Sequence, residues 1–219
     1  STVNNAGLID AANQGIKIES DNATVTNDGD ILGGGAGLWA GDESNGVYVT
    51  NNAGASIIGA DNDGIILFEG GDVINAGHIE GQQRFNADGV SGWTEDVNNV
   101  DENGASFRLD NALSGSILGE RFGAGLFSGA TVTNAGDIEG SSGIFITDEF
   151  ALGGTAGHVE NSGTITGNGA LDQLSGAHVT APTGVGLQLS DLSDGASLTN
   201  SGDIIGSNQA VHLSQVDGV

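Results

Sequence analysis

Thr131–Ile146 reads TVTNAGDIEGSSGIFI, and the same phrase returns along the chain as TVTNDGDILGGGAGLWA from Thr24, VINAGHIEGQQ from Val73, VENSGTITGNG from Val159 and LTNSGDIIGSN from Leu198. Aligned on its asparagine, the repeat has anchors at Asn5, Asn27, Asn51, Asn75, Asn111, Asn134, Asn161 and Asn200; five of the seven intervals lie between 22 and 27 residues, the others being 36 and 39. Two residues before each anchor stands Val or Leu (Val3, Val25, Val49, Val73, Leu109, Val132, Val159, Leu198), and after it an Ile (Ile9, Ile31, Ile57, Ile79, Ile117, Ile138, Ile165, Ile204). A small residue follows, Ala11 or a glycine, and then a third piece that usually reads Gly-aliphatic: Ile16, Leu38, Ile65, Val90, Leu126, Ile144, Leu187 and Val211. Self-similarity at this period is the mark of a stacked repeat.

A piece of three to five residues with one or two inward aliphatics cannot bury itself as a hairpin. Stacked on its own copies it forms a parallel sheet with an inner column of one residue type. Three such pieces per copy predict an all-β fold: a right-handed parallel β-helix of about eight three-strand rungs, on the order of 38 Å long at 4.8 Å per rung. Corner glycines are expected to supply positive φ. In V-x-N the amide points the same way as the Val, so the eight asparagines should form an inward ladder. Rungs 3 and 5 carry two extra residues between Asn and Ile, an even number that keeps the inside/outside alternation. The whole chain, 1–219, reads as one β-helix fragment of something longer, with insertions at about 82–106 and 168–183.

Repeats of the form V-x-N-x-G-x-I-x-G…G-I resemble those in the β-helical passenger regions of bacterial autotransporters and related large surface adhesins. The resemblance spans all eight rungs and implies an exported protein at the bacterial surface. It transfers no catalytic residue, because that family contains adhesins, scaffolds and a few enzymes.

The 219 residues include 29 acids against four bases (Lys17, Arg84, Arg108, Arg121), a net charge of −25. Such a surface repels nucleic acid and anionic lipid and attracts divalent cations. Cysteine is absent, which removes disulfides and thiolate metal sites. No apolar run reaches transmembrane length.

Function is sought where the repeat breaks. In the rung 4 insertion, Asn99, Asp101 and Asn103 before Gly104, with Asp110 at the twelfth place, have the oxygen spacing of a calcium loop; Asn at the first place and Ser106 at the eighth depart from it. Asp61-Asn62-Asp63-Gly64 and Asp148-Glu149 are weaker candidates, since Asx-Gly corners arise from turn chemistry alone. The residue after each inward aliphatic of the third strand should face outward, which places Trp39, Ile66, Phe127 and Phe145 on one exterior stripe with Phe68 and Trp93 nearby. Such a stripe is either covered by the chain's own loops or an interface to another subunit or to sugar rings.

Catalysis is poorly served. The bases are too dispersed for a lyase, the best carboxylate pairing is Asp148 or Glu149 with Asp172 or Asp191, and His78, His158, His178 and His212 are scattered. The expectation is a non-catalytic structural or adhesive β-helix, extracellular or on the bacterial surface, assembling with itself or the rest of a longer chain, with calcium as a clamp. The alternative is a polysaccharide-binding or polysaccharide-cleaving β-helix.

Overall fold

The computed structural model describes residues 1–41, 43–82, 87–92, 107–127, 129–147, 157–169, 183–190 and 196–214. These form a parallel β-helix of three sheets with eight strands each, and successive strands of a sheet come from successive rungs. The first sheet runs from Thr2–Asn5 to Ser197–Asn200, the second from Leu8–Ala11 to Asp203–Gly206, and the third from Ile16–Ile18 to Gln209–Ser214.

Register follows the repeat. Val25 pairs with Val3 and Val49, Ile31 with Ile9 and Ile57, and Leu38 with Ile16 and Ile65. The inward columns form the core, in which Val25, Ile31, Leu38, Ile57, Val73 and Ile79 are fully buried. Each such side chain contributes roughly 1.5–3 kcal/mol, and a rung alone could bury none of them.

The asparagine ladder is complete. From Asn5 to Asn161, each Nδ2 donates to the Oδ1 of the next anchor at 2.8–2.9 Å. The same amino group reaches a carbonyl of the next rung, such as Ser116 O from Asn75, and in most rungs a carbonyl of its own corner, such as Gly77 O from Asn75. A buried primary amide needs both donors and acceptors met, and a stack of identical amides meets them in one line. The two-residue insertions leave this line undisturbed. Rung 3 absorbs its extra pair in a turn closed by Ala55 N–H to Asn52 O, with Gly54 at φ +85°; rung 5 uses Gly115 N–H to Ala112 O.

Two expectations are corrected. Positive φ is found at the turns of Gly46, Gly54, Gly70, Gly129, Gly169 and Gly184, but not at the recurring corner after the asparagine: Gly29, Gly136, Gly163 and Gly202 are absent from the left-handed region. They are needed because a Cβ on Gly136, Gly163 or Gly202 would lie 2.1–2.2 Å from the glycine carbonyl oxygen of the rung below. In the third sheet of rung 5, Ala124 rather than Leu126 continues the column of Val90 and Ile144. Leu126 points inward two residues on, level with Ile146.

Candidate functional site on the outer face of the third sheet

The register defines one outward column on this sheet: Lys17, Trp39, Ile66, Ser91, Gly125, Phe145, Gln188 and His212. Phe127 is displaced from it by the shift at Ala124 and lies level with Thr147 in the next outward position. The outward-facing stripe is therefore not continuous, and of the two alternatives its middle is covered: Ile66 and Phe145 are 5% and 4% accessible. Trp39 remains half-buried, with its ring edge-on to Phe68 at 5.7 Å and under the Lys17 ammonium at 5.1 Å. It also lies against Gly41, whose Cβ would come within 2.3 Å of it. Trp93 lies outside the described residues.

What fills the middle of this face is polar. The residue before each third-strand glycine occupies a corner position that stacks from rung to rung, Asp63 O accepting from Gly37 N–H, Asp88 O from Gly64 N–H and Phe122 O from Gly89 N–H. In rungs 3 and 4 that residue is an aspartate, and both carboxyl groups are buried, Asp63 at 4% and Asp88 at 0%. The backbone N–H of Asp88 donates to Asp63 Oδ1 at 2.7 Å. Arg121, one rung further, grips Asp88 with two bonds, Nε to Oδ1 at 2.9 Å and Nη2 to Oδ2 at 2.8 Å. The Phe122 N–H adds a third at 3.2 Å.

The guanidinium lies 5.0 Å from the Phe122 ring, which stacks on Phe145 at 4.9 Å and 14°. Gly125 makes the room, since a Cβ there would be 2.6 Å from Asp88 Oδ2 and 3.1 Å from the Phe122 ring. Ser91, fully buried between Ile66 and Gly125, adjoins both carboxyl groups.

The electrostatics follow from burial. Burial holds the Asp63 carboxyl well above the usual carboxylate range, and the charge of Asp88 pushes it further. Asp88 is raised as well, by burial, against the opposing pull of Arg121. Burial works against the Arg121 charge, but Asp88 outweighs it and holds the guanidinium more firmly protonated.

The calcium candidates fare unevenly. Asn99, Asp101 and Asn103 lie outside the described residues, as do Asp148 and Glu149. Asp110 is on the outer face of the first sheet, its Oδ2 bound to Arg108 Nη2 at 2.5 Å and its Oδ1 buried without a hydrogen bond. Asp63 is taken up in the corner cluster, which leaves Asp61 and Asn62 as the exposed oxygen-bearing side chains of the Asp61–Gly64 corner. Among the described residues, no three His, Asp or Glu side chains converge to hold a metal ion.

The second sheet brings together a constellation the scattered histidines did not suggest. His78 Nδ1 is 3.3 Å from Ser116 Oγ and its Nε2 is 3.0 Å from Glu80 Oε2. These are the links of a nucleophile triad, but the strand N–H groups here lie in the plane of the sheet, in its ladder. None turns outward to stabilise an oxyanion.

Asp88, Ser91 and Arg121 were the residues sequence reading passed over. The signal was present: Asp-Gly occurs before the third strand in two successive rungs, and one of only four bases follows at the same corner of the next.

No known protein family, curated protein or solved structure matches the chain.

Proposed function

We propose that this chain is a structural or adhesive β-helix module of a bacterial cell-surface or secreted protein, of the kind found in autotransporter passenger regions. The observation that carries the reading is the continuity of the asparagine ladder and its flanking aliphatic columns through every rung, with strand edges left open at rungs 1 and 8 of the described residues. A rod of this kind holds whatever is attached to it at fixed spacing, and its edges call for another rung, from a continuing chain or a second copy. Calcium is the proposed clamp, because a body of charge −25 gathers divalent cations and its acidic insertion has loop-like oxygen spacing. Sedimentation velocity in millimolar calcium and then in chelator, at constant ionic strength, tests this. Larger species in calcium alone support the scaffold with its clamp, whereas a monomer in both buffers removes calcium-dependent assembly.

The second reading, polysaccharide recognition, rests on the half-exposed Trp39 ring held by Phe68 and Lys17. Glycan binding lost on Trp39→Ala would favour it.

A further inference from the structure

Asp63 and Asp88 form a buried acid pair that neither scaffold nor adhesin requires. We propose that the two buried acids carry a single proton, on Asp63, and, with Arg121, act as a protonation-controlled latch that keeps the outer face of the third sheet closed across rungs 3 to 5.

The geometry leads there in three steps. Two carboxyl groups and one guanidinium are buried together, and Arg121 commits both Nε and Nη2 to Asp88. If both acids were ionised, the described residues of the site would keep one negative charge in excess away from water, and a buried carboxyl in that position neutralises instead. Next, the two acids are held unequally. Asp63 Oδ1 accepts from the Asp88 N–H, while Asp88 accepts from Nε and Nη2 of Arg121 and from the Phe122 N–H, and the Ser91 hydroxyl adjoins both acids. The two-bond guanidinium contact favours the ionised form of Asp88, which leaves the proton to Asp63. Last, the cluster fastens something: Asp88 and Arg121 position Phe122, whose ring lies on Phe145.

The groups facing the pair can be named element by element. The rung 3 corner contributes Asp63, with Asp61 and Asn62 turned to solvent. The rung 4 corner contributes Asp88, and the rung 5 corner Arg121 and Phe122, with Glu120 exposed. The third sheet contributes Ile66, Ser91 and Gly125. Among the described residues no other charge faces the site.

The sign is fixed by linkage. The closed form binds a proton that the open form, with ordinary aspartates, releases. Closure is therefore strongest in acid, weakens as pH rises above the usual aspartate value, and has lost this contribution once pH passes the value of Asp63 in the closed form.

The test is a carboxyl-carbon NMR titration of the intact chain, which needs no variant. One aspartate should remain protonated after the exposed acids have ionised, and its signal should be missing from Asp63→Asn. Hydrogen exchange at the Ile66, Ser91 and Phe145 amides, corrected for intrinsic rate, should accelerate by about tenfold per pH unit over the same range and then level off. In Asp63→Asn it should be flat. Titration of every aspartate near 4, or the same exchange profile in both proteins, would overturn the latch.

Discussion

At the level of single residues, two positions that look alike in the sequence are set apart by what their atoms meet. Asn75 and Asn4 are both strand asparagines, but Asn75 is buried. Its Nδ2 supplies Asn111 Oδ1 and Ser116 O, and its Oδ1 accepts from Asn51 Nδ2 and the Gly77 N–H. Replacing it with Ala strands several of these groups away from water, at about 1–3 kcal/mol for each one left unmet. Asn75→Ala should therefore lose at least about 3 kcal/mol in urea unfolding, with Asn4→Ala, on the exposed side of its strand, within about 0.5 kcal/mol. Equal losses would mean that the ladder adds nothing beyond the aliphatic columns. The corner glycines divide in the same way. Nothing lies within 4 Å of a Cβ built on Gly7, whereas one on Gly163 would be 2.1 Å from Gly136 O. Gly7→Ala should leave the thermal midpoint nearly unchanged, and Gly163→Ala should lower stability by about 3 kcal/mol, the upper range for forced overpacking.

At the level of the rung, the alternation of strands and the room at the corners decide what the stack tolerates. Rung 3 reaches Ile57 from Asn51 by a longer corner than its neighbours, yet both residues stay in register with rungs 2 and 4. Deleting Gly54 alone should turn the following strand inside out, because a one-residue slip exchanges its faces. Deleting Ala53 and Gly54 together restores the short spacing, but puts Ala55 where the short corners carry glycine. That double deletion should be marginal, and adding Ala55→Gly should bring its urea midpoint close to the parent's. If the single deletion proves as stable as the rescued one, the corner adapts freely and register is held elsewhere.

This is also the scale at which the sequence could be read. Inward Val, Ile and Asn recur at fixed offsets, so the sheets, the ladder and the harmless insertions were legible. The third strand of rung 5 was not, because FGAGLF contains two Gly-aliphatic pairs. What selects the first is the close approach of Gly123 to Gly143 O, 2.8 Å from a Cβ, and a three-dimensional contact has no signature in a repeat pattern. The buried acids escaped for a related reason. Asp-Gly is ordinary corner chemistry in one rung, and becomes a site only when the next rung stacks a second Asp on it and a third brings Arg121.

For the whole molecule, the ladder has a direction. Every link donates from a lower rung to a higher one, so rung 8 presents the Asn200 amino group, which donates to Gly202 O, and rung 1 presents Asn5 Oδ1, which accepts from the Gly7 N–H. Rung 8 also exposes Leu213, at 61%, in a column that is buried in the rungs beneath it. Two copies meeting end to end are complementary only head to tail, and such a contact does not close on itself but extends into a filament. Opposing it is the repulsion between two bodies of charge −25, which acts over about 30 Å at 10 mM salt and about 8 Å at 150 mM. Association through the ends should therefore be absent at low ionic strength and grow with added salt. Leu213→Glu, which places a charge on the end face, should abolish it, at some cost to the monomer's thermal midpoint because Leu213 covers the buried Leu189 of the rung below. Sedimentation velocity across a salt series separates the possibilities. Salt-dependent growth that survives Leu213→Glu would locate the contact on an outer face instead, and growth lost in the variant would assign it to the open end of the ladder.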